Sequence, residues 1–332
     1  MCSRDDKFIY ESKRKPLVSI LLAVYKPNEK WLIEQLISLN EQSYENLNLY
    51  VYDDCPEYPV SEKIFNKYIT NFNYEIVSGR INKGSNKAFE KLTKIADGKY
   101  FAYCDQDDIW EKDKISLMIE KFDEDDVTLV CCDLSIIDKN GLKIHDSIRD
   151  IRKRIVYKSG YGLTKSILMV NFITGCAMIV KKDIAIKSLP FAQELIHDHW
   201  IGIIASIDAQ IKVIDKPLVR YRQHNRNQTG ILKDVFDKKS YYTKRINDFI
   251  SRYNEIKNRL FIYDELTKYL EDLLFWMDAR SRYSKRISIS DLKIMIKYRN
   301  FHKESILIEI ILPFIPDYIF KYIINLTKRG LL

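Results

Sequence analysis

Apolar strand-like segments alternate with helical segments over the first 110 residues, and this alternation leaves few folds open. The strand-like segments are short, rich in β-branched and aromatic residues, and mostly end in polar residues: LVSILLAVYKP (17–27), LNLYVYDD (47–54), YEIVS (74–78) and KYFAYCD (99–105). Segments with helical character lie between them, near 28–39, 61–70 and 87–96. The alternation predicts an α/β fold with a doubly wound, mostly parallel central sheet.

Polar residues at the ends of three of these strands indicate a ligand site. They are Tyr25–Lys26, Asp53–Asp54 and Asp105–Asp108, the last with the sequence Asp-Gln-Asp-Asp. Ligands of open α/β sheets bind beside the carboxyl ends of the strands. Because each polar group follows a strand, we expect all three groups to gather at one edge of the sheet.

The charge is divided unevenly along the chain. The formal net charge is +8, yet residues 1–150 carry 21 Lys/Arg and 28 Asp/Glu (−7), whereas residues 151–332 carry 33 and 18 (+15). A basic half suits an acidic partner, such as a nucleotide, a diphosphate-linked lipid, an anionic membrane surface or nucleic acid. The basic runs lack the interleaved aromatic residues of nucleic-acid-binding motifs, so we expect no nucleic-acid partner.

Cysteine usage and the N-terminus predict the compartment. The six cysteines lie in apolar or motif-adjacent positions and form neither a CxxC pair nor a zinc-binding spacing, so we expect reduced thiols. The first 15 residues lack the apolar segment of a signal peptide, and no run of about 18 apolar residues occurs. We therefore predict a cytoplasmic protein.

The pattern changes near residue 228. Before it, strand-like segments recur at 128–138, 171–180 and 210–224, whereas basic sequence with helical apolar spacing begins at about 231. The segment 306–324 is strongly apolar but is interrupted by a glutamate and two prolines, which divide it into pieces too short to span a bilayer. Packing onto the core, dimerisation and binding at a membrane interface are the alternatives, and we expect peripheral membrane binding.

The Asp-Gln-Asp-Asp motif predicts a metal site. Asp105 and Asp107 can share one hard divalent cation, and Mg²⁺ or Mn²⁺ held in this way keeps coordination positions for phosphate oxygens. A solvated acidic turn is the alternative for so short a motif. Here an apolar strand precedes the motif and Ile109–Trp110 follows it, so unpaired carboxylates would be costly without a cation.

Two further segments suit a nucleotide. Asp53 and Asp54 can accept hydrogen bonds from a pyrimidine N3–H and a ribose hydroxyl, although a turn into Pro56 explains them equally well. Asn82 and Gly84 lie in a small-residue loop that would let the backbone approach a nucleotide, with a plain turn before a helix as the alternative.

The segments His197-Asp198-His199-Trp200 and Tyr221-Arg222-Gln223-His224 supply the remaining candidates. Asp198 is our choice for a general base that removes a proton from an attacking hydroxyl, and a helix N-cap is the alternative. A zinc site at His197 and His199 is disfavoured, since positions i and i+2 lie on opposite sides of a helix. Arg222 could clamp a phosphate and His224 could complete the metal shell, unless the segment is an exposed basic turn.

These segments resemble, in order and spacing, the family 2 glycosyltransferases of GT-A fold, and most of all their bacterial rhamnosyltransferase-like subgroup. The segments that carry the resemblance cover roughly residues 16–228: VSILLAVYKP, VYDDCPEYP, NKGSNKAFEKLTKIADGKYFAYCDQDDIW, NFITGCAMIV, HDHW and YRQH. Two departures are Cys55-Pro56-Glu57, where glycine and serine are usual, and His197, where many relatives carry Glu.

The resemblance implies a metal-dependent, inverting transfer of a sugar from a nucleoside diphosphate, with Mn²⁺ or Mg²⁺ as cofactor. It implies Asp198 as the base, a metal site at Asp105, Asp107 and His224, and a dTDP- or UDP-sugar donor, with dTDP-L-rhamnose favoured. The expected acceptor is a growing cell-surface polysaccharide or a lipid-diphosphate-linked glycan. The nucleotide-binding residues are predicted to be Tyr25, Asp53, Asp54, Asn82, Gly84, Asp105 and Arg222, and the acceptor-side residues to be Trp110, Gly175, His197, His199 and Trp200.

The predicted domains follow from these assignments. They are an N-terminal lead (1–15), a GT-A catalytic domain (16–228) and a helical C-terminal extension (229–332), through which a homodimer is possible. Within the catalytic domain, about 16–110 is expected to bind the nucleotide sugar and about 111–228 the acceptor.

Three other functions compete with a glycosyltransferase. A nucleotidyltransferase would want a glycine-rich loop after the first strand, and LLAVYKPNEK has no glycine. A phosphoacceptor receiver domain would be shorter and would leave Asp198 unexplained. A catalytically silent nucleotide-binding scaffold in a glycan assembly complex would keep the nucleotide site without turnover.

Overall fold

The structure is a computed structural model, and it describes residues 15–123, 126–224 and 234–328. The chain divides into two compact units between Asn225 and Arg226. The predicted N-terminal lead lies outside the described residues except for Lys15.

A nine-stranded mixed sheet forms the first unit, with the strand order β3-β2-β1-β4-β8-β6-β9-β5 and with β7 paired to β6. The strands are β1 (Val18–Val24), β2 (Leu47–Asp53), β3 (Asn73–Ser78), β4 (Tyr100–Cys104), β5 (Ile109–Trp110), β6 (Val127–Ile137), β7 (Lys143–His145), β8 (Met178–Lys181) and β9 (Gln210–Arg222). The helices of this unit are α1 (Glu29–Asn40), α2 (Glu62–Tyr68), α3 (Ser85–Ile95), α4 (Lys114–Ile119), α5 (Thr164–Met169), α6 (Lys182–Lys187) and α7 (His197–Ala205).

The first half of the sheet is parallel, as the alternation predicts. Strand β1 pairs in parallel with both β2 and β4, and β2 pairs in parallel with β3. β1 is buried along almost its whole length because strands flank it on both sides. Helix α1 begins at Asn28, whose side chain accepts a hydrogen bond from the Trp31 amide at 3.3 Å.

The second half of the sheet mixes strand directions. Strand β8 lies between β4 and β6 and is antiparallel to both, whereas β6 and β9 are parallel. This insertion brings the turn that precedes β8, a 3₁₀ turn at Gly175–Ala177, next to the end of β4. The α/β prediction with a helical C-terminal region is confirmed.

The second unit is helical throughout its regular elements. These are α8 (Lys238–Tyr242), a π-helical turn (Thr243–Asn247), α9 (Asp248–Arg259), α10 (Asp264–Lys285), α11 (Ile289–Lys297), α12 (Lys303–Ile311) and α13 (Asp317–Lys328), with 3₁₀ turns at Arg299–Phe301 and Leu312–Phe314. Apolar side chains of α10 fill its core, and the buried Arg280 guanidinium pairs with Glu309. Glu309 therefore faces inward as one half of an ion pair and does not interrupt an exposed apolar face.

Candidate active site

The ends of β1, β2 and β4 meet at one edge of the sheet, and side chains connect them. The parallel register places Val24 opposite Asp53, and the Asp54 amide donates to the Val24 carbonyl at 2.8 Å. The Gln106 amide group binds both backbone groups of Tyr25: its Oε1 accepts from the Tyr25 N–H at 2.8 Å, and its Nε2 donates to the Tyr25 carbonyl at 3.1 Å. Gln106 thus fastens the loop after β4 to the end of β1, a role that the sequence pattern did not suggest.

Asp53 and Asp54 are both buried, and each holds a loop by accepting backbone N–H groups. Asp53 accepts from Cys55 (3.0 Å) and Val60 (2.7 Å), and Asp54 accepts from Lys83 (2.8 Å) and Gly84 (2.7 Å). Asp54 Oδ2 also accepts from the Lys83 amide at 3.1 Å, whereas Asp54 Oδ1 and both Asp53 oxygens have a second lone pair that could accept a further hydrogen bond.

The Gly84 position shows why a small residue stands in this loop. Its φ of +80° lies in the left-handed region, its amide also donates to Asn82 Oδ1 at 3.1 Å, and helix α3 begins at the next residue. The loop therefore turns the backbone toward Asp54 before the helix starts. A surface groove lined by residues that follow β1 and β2 includes Lys26, Tyr58 and Val60, the last of which donates its amide to Asp53.

Three carboxylates follow β4, and they differ in burial. Asp105 and Asp107 are half-buried, whereas Asp108 is fully buried. Asp108 Oδ1 accepts from the Arg222 amide at 2.9 Å, and its Oδ2 makes no hydrogen bond within the described part of the chain. Burial, together with the neighbouring carboxylates, raises the pKa of Asp105 and that of Asp108.

The carboxylates of Asp105, Asp107 and Asp108, here called the acid cluster, fit a divalent cation. Ligand atoms of Asp105, Asp108 and Cys176 lie within 4.8 Å of one another. Carboxylate oxygens suit hard cations such as Mg²⁺ and Mn²⁺, although a thiol is a poor ligand for them. Asp108 Oδ2 lacks a hydrogen bond among the described residues, and a bound cation would lower the raised pKa values of Asp105 and Asp108, which the charge of Lys114 offsets only in part at Asp105.

The third carboxylate of the motif, Asp107, contacts His224. The His224 Nε2 is 2.6 Å from Asp107 Oδ2, and the imidazole ring lies against the Trp31 indole with the ring centres 4.9 Å apart. The structure thus brings two of the three predicted metal ligands together. Asp105 and Asp107 are also close enough for the charge of Asp107 to raise the pKa of Asp105.

Arg222 corrects one prediction. Its side chain is fully buried, and the guanidinium donates to the carbonyls of Asp107 (2.8 Å) and Asp138 (3.2 Å) and to Glu34 Oε2 (2.5 Å). Because these groups engage all three of its nitrogens, Arg222 stabilises the loop after β4 and is not placed to clamp a phosphate. The burial of the end of β9, which the sequence did not reveal, decides this role.

Asp198 lies in the first turn of α7, where the partial positive charge of the helix N-terminus favours a carboxylate. Oδ2 accepts from the Gly175 amide at 2.9 Å, and Oδ1 accepts from Asn171 Nδ2 at 3.2 Å. Burial nevertheless raises the pKa of Asp198 to about 6. The charge of Asp198 also raises the pKa of Asp105, so the two carboxylates are near enough to interact electrostatically.

The residues around Asp198 are tightly packed. His197 is buried against the aromatic rings of Phe89 (4.2 Å between ring centres) and Tyr103 (5.2 Å). Burial lowers the pKa of His197 to about 3, so the ring is neutral. A Cβ at Gly175 would lie 2.7 Å from His197 Nε2, which explains the glycine there.

Two predicted acceptor-side tryptophans are corrected by burial. Trp200 is 3% exposed and donates from Nε1 to the Ser188 carbonyl at 2.7 Å, and Trp110 is 2% exposed. Neither indole presents a face to an acceptor, so both stabilise the domain. His199 is half-buried, with Nε2 2.9 Å from the Ile167 carbonyl.

A family model for glycosyl transferase family 2 matches residues 19–185, which are half of the chain and include the ends of β1, β2 and β4. This chain belongs to glycosyl transferase family 2. The family confirms the predicted enzyme class, and the chain is a glycosyltransferase that uses a nucleotide-sugar donor.

Relatives of this glycosyltransferase come from several organisms. It is 29% identical over 232 residues to the dTDP-rhamnosyl transferase RfbG of Shigella flexneri, covering 63% of this chain and 73% of that protein. It is 28% identical over 238 residues to an uncharacterized glycosyltransferase of Methanocaldococcus jannaschii, covering 69% of this chain and 78% of that protein.

A solved structure confirms the fold. Residues 1–349 of S. aureus TarS in complex with UDP-GlcNAc superpose with a TM-score of 0.57 at 16% identity, covering 86% of this chain and 80% of that one. The chain spans half of a longer TarS crystal structure, with a TM-score of 0.55 at 17% identity and 87% of this chain covered. In the described ranges, none of the helices combines the length and apolar character needed to cross a bilayer.

Proposed function

We propose that this glycosyltransferase transfers its sugar with inversion, in a metal-dependent reaction, to a hydroxyl of a growing cell-surface polysaccharide or lipid-linked glycan. The observation that carries the proposal is the turn at Gly175–Ala177, which places Asp198 beside the acid cluster: the Gly175 amide donates to Asp198 Oδ2 at 2.9 Å, and the next residue, Cys176, has its thiol within 4.8 Å of ligand atoms of Asp105 and Asp108. The range 16–228 is the proposed catalytic domain, and 229–332 is its helical extension.

Asp198 is the proposed general base. The acceptor hydroxyl oxygen forms a bond to the anomeric carbon while the bond from that carbon to the diphosphate oxygen breaks, and the hydroxyl proton passes to a carboxylate oxygen of Asp198. The product is an inverted glycosidic linkage and a free nucleoside diphosphate. The pKa of about 6 suits this role, since Asp198 is ionised at neutral pH yet basic enough to take a proton.

The acid cluster is the proposed site of the metal and the diphosphate. Asp105, Asp107 and His224 would hold Mn²⁺ or Mg²⁺, and the cation would neutralise the charge of the leaving diphosphate. The buried Asp108 keeps Arg222 and the end of β9 in place beneath these ligands. Residues Asp53, Asp54, Tyr25, Asn82 and Gly84 are the proposed nucleotide contacts, supported by their position around the ends of β1 and β2 and the start of α3.

The proposed donor is dTDP-L-rhamnose, supported by the similarity to the dTDP-rhamnosyl transferase RfbG. A UDP-sugar is the alternative, because the structurally similar TarS crystallised with UDP-GlcNAc. Purified protein should be incubated with Mn²⁺ and each of dTDP-rhamnose, UDP-glucose and UDP-GlcNAc, and release of the nucleoside diphosphate measured. Faster release from dTDP-rhamnose than from the UDP-sugars, and its loss in Asp198→Asn, are expected.

The outcomes of this screen separate the competing functions. Release only from a UDP-sugar would refute dTDP-L-rhamnose as the donor and would still support the glycosyltransferase activity. Nucleotide binding without release from any donor, also in the presence of lipid-linked acceptors, would favour the silent scaffold.

The C-terminal unit is the proposed contact with an anionic membrane surface at the cytoplasmic face. Leu312, Phe320 and Ile324 face inward and pack with Val235. Apolar and aromatic residues of the same stretch are exposed: Leu307 (68%), Ile308 (54%), Ile311 (57%), Phe314 (66%), Tyr318 (73%) and Tyr322 (65%). Residues 226–332 carry 21 Lys/Arg against 13 Asp/Glu, a net +8, which complements anionic lipid headgroups.

Vesicle co-sedimentation tests the membrane proposal. The full chain should sediment with vesicles that contain phosphatidylglycerol at low salt and not with pure phosphatidylcholine vesicles. Phe314→Ser combined with Tyr318→Ser should abolish binding, whereas Phe261→Ser, at a residue that is also 66% exposed but lies outside this stretch, should not. If both variants sediment equally, the exposed residues of 306–324 are not the membrane-binding surface. If the wild type is a dimer and the double variant is a monomer, these residues form a dimer interface instead.

A further inference from the structure

A lysine is buried directly beneath the acid cluster. Lys114 is the first residue of α4 and has no exposed surface. Its Nζ donates a hydrogen bond to the Cys176 carbonyl at 2.7 Å and lies 3.0 Å from the centre of the Trp110 indole ring. The lysine therefore joins the segment after β4 to the turn before β8, 62 residues further along the chain.

The environment of this ammonium group is unusual. Within the described ranges, Lys114 forms no ion pair at contact distance, although its charge interacts with the nearby carboxylates of Asp105 and Asp108. Burial outweighs this attraction and lowers the pKa of Lys114, so the buried ammonium costs free energy that an apolar side chain of similar length would avoid. The hydrogen bond from Lys114 to the Cys176 carbonyl therefore suggests a role that an apolar side chain could not fill.

The turn that Lys114 holds touches both halves of the proposed active site. The Gly175 N–H donates to Asp198 Oδ2 at 2.9 Å, and the Cys176 thiol lies within 4.8 Å of ligand atoms of Asp105 and Asp108. The Cys176 carbonyl accepts the hydrogen bond from Lys114. The turn at Gly175–Ala177 thus contacts Asp198 through the Gly175 amide and the acid cluster through the Cys176 thiol. The buried Lys114 holds the same turn through the Cys176 carbonyl.

We propose that Lys114 is a positioning residue that fixes the distance between Asp198 and the acid cluster by anchoring the Cys176 carbonyl. The inference rests on the proposed function of Asp198 as the base. It adds the residue that keeps this base at a fixed distance from the acid cluster. The lysine does not contact substrate. Because a displacement of about 1 Å at a reacting group can cost about 10²-fold in rate, a single buried hydrogen bond is enough to matter.

The test replaces Lys114 with methionine in the full chain. Lys114→Met keeps the length and apolar stem but removes the donor, so the turn loses its anchor. We expect kcat to fall by about 10–100-fold, while the Kd of the nucleoside diphosphate stays within about threefold. Lys114→Arg, which keeps a donor, should retain more activity than Lys114→Met. Lys112→Met is the matched control, because Lys112 is exposed and lies two residues away.

A double-mutant cycle distinguishes positioning of the base from a general structural role. If Lys114 acts through Asp198, adding Lys114→Met to Asp198→Asn should change the residual rate by less than about threefold. Circular dichroism and nucleotide binding confirm that each variant is folded. If Lys114→Met does not fold, Lys114→Arg in the same two backgrounds provides the comparison.

The outcomes separate this proposal from the function on which it rests. An active wild type whose kcat is unchanged in folded Lys114→Met, or a full additional loss in the Asp198→Asn background, would overturn the positioning role and leave the base intact. An Asp198→Asn variant as active as the wild type would overturn the proposed base itself.

Discussion

Replacing Asp198 with asparagine should lower activity and raise stability at the same time. The carboxylate is 6% exposed, and its pKa rises from an ordinary 3.8 to about 6 because burial disfavours its charge. That displacement corresponds to about 3 kcal/mol by which the ionised group destabilises the folded state. Asparagine has nearly the same shape and carries no charge, so it removes this penalty.

The hydrogen bonds of Asp198 offset part of the gain. Asparagine Oδ1 can still accept from the Gly175 amide, but its NH₂ group would then face the Asn171 NH₂, and one hydrogen bond worth about 1 kcal/mol is lost. Asn171 cannot easily reverse its amide, because its Oδ1 accepts from the Ile173 N–H at 3.0 Å. The net expectation is a stabilisation of about 2 kcal/mol, or a rise of about 4 °C in Tm.

The sign of the pH dependence provides an internal check. The folded carboxyl titrates near 6 and the unfolded one near 3.8, so the penalty is full above about pH 6 and disappears as the pH falls toward 3.8. The difference in Tm between Asp198→Asn and the wild type should therefore be larger at pH 7.5 than at pH 5.

The assay combines thermal unfolding with sugar transfer. Transfer by Asp198→Asn should fall by about 10²–10⁴-fold while the affinity for the nucleoside diphosphate stays near that of the wild type. A variant that is less stable than the wild type at pH 7.5, and that loses nucleotide binding in parallel with turnover, would refute the reasoning and make Asp198 a structural residue.

Four other predictions follow from the same contacts. The kcat of the wild type should rise between pH 5 and pH 7 as Asp198 ionises near pH 6. Asp107→Ala should abolish the Mn²⁺-dependent gain in nucleoside diphosphate affinity measured by calorimetry. Arg222→Met should lower the free energy of unfolding by about 2 kcal/mol, because three partly buried hydrogen-bond acceptors lose their donor. Glu309→Gln should lower it by about 3 kcal/mol, because the buried Arg280 loses its ion pair.

Matched controls sharpen these measurements. Asp113→Ala and Glu265→Gln change exposed acidic residues near the metal site and in the C-terminal unit, and neither should alter metal-dependent binding or unfolding. Unchanged affinity in Asp107→Ala would remove that residue from the metal site. A pH-independent kcat would argue that chemistry at Asp198 does not limit turnover. Denaturation midpoints like those of the wild type would show that the Arg222 or Glu309 contacts contribute little.

The local sequence predicts the ends of the parallel strands well. Runs of β-branched and aromatic residues at 17–24, 47–52 and 99–104 identify buried strands, and Asp53 and Asp105 come directly after the second and the third run. These features are visible because strand propensity, burial and the position of a ligand edge depend on a few neighbouring residues. Asp198 was identified only through its motif, and its general-base role stays a prediction.

The sequence determined the α/β alternation, the acidic edge of the sheet and the helical character of the C-terminal unit. Only the tertiary structure decided the insertion of antiparallel β8, the burial of Arg222 and Trp200, and the turn that links Lys114 to Asp198. The reason is physical: local periodicity is encoded within a few residues, whereas the burial and hydrogen-bond partners of a long polar side chain depend on segments that meet it from far along the chain. A lysine or an arginine looks the same in a sequence whether it ends in solvent or beneath an active site.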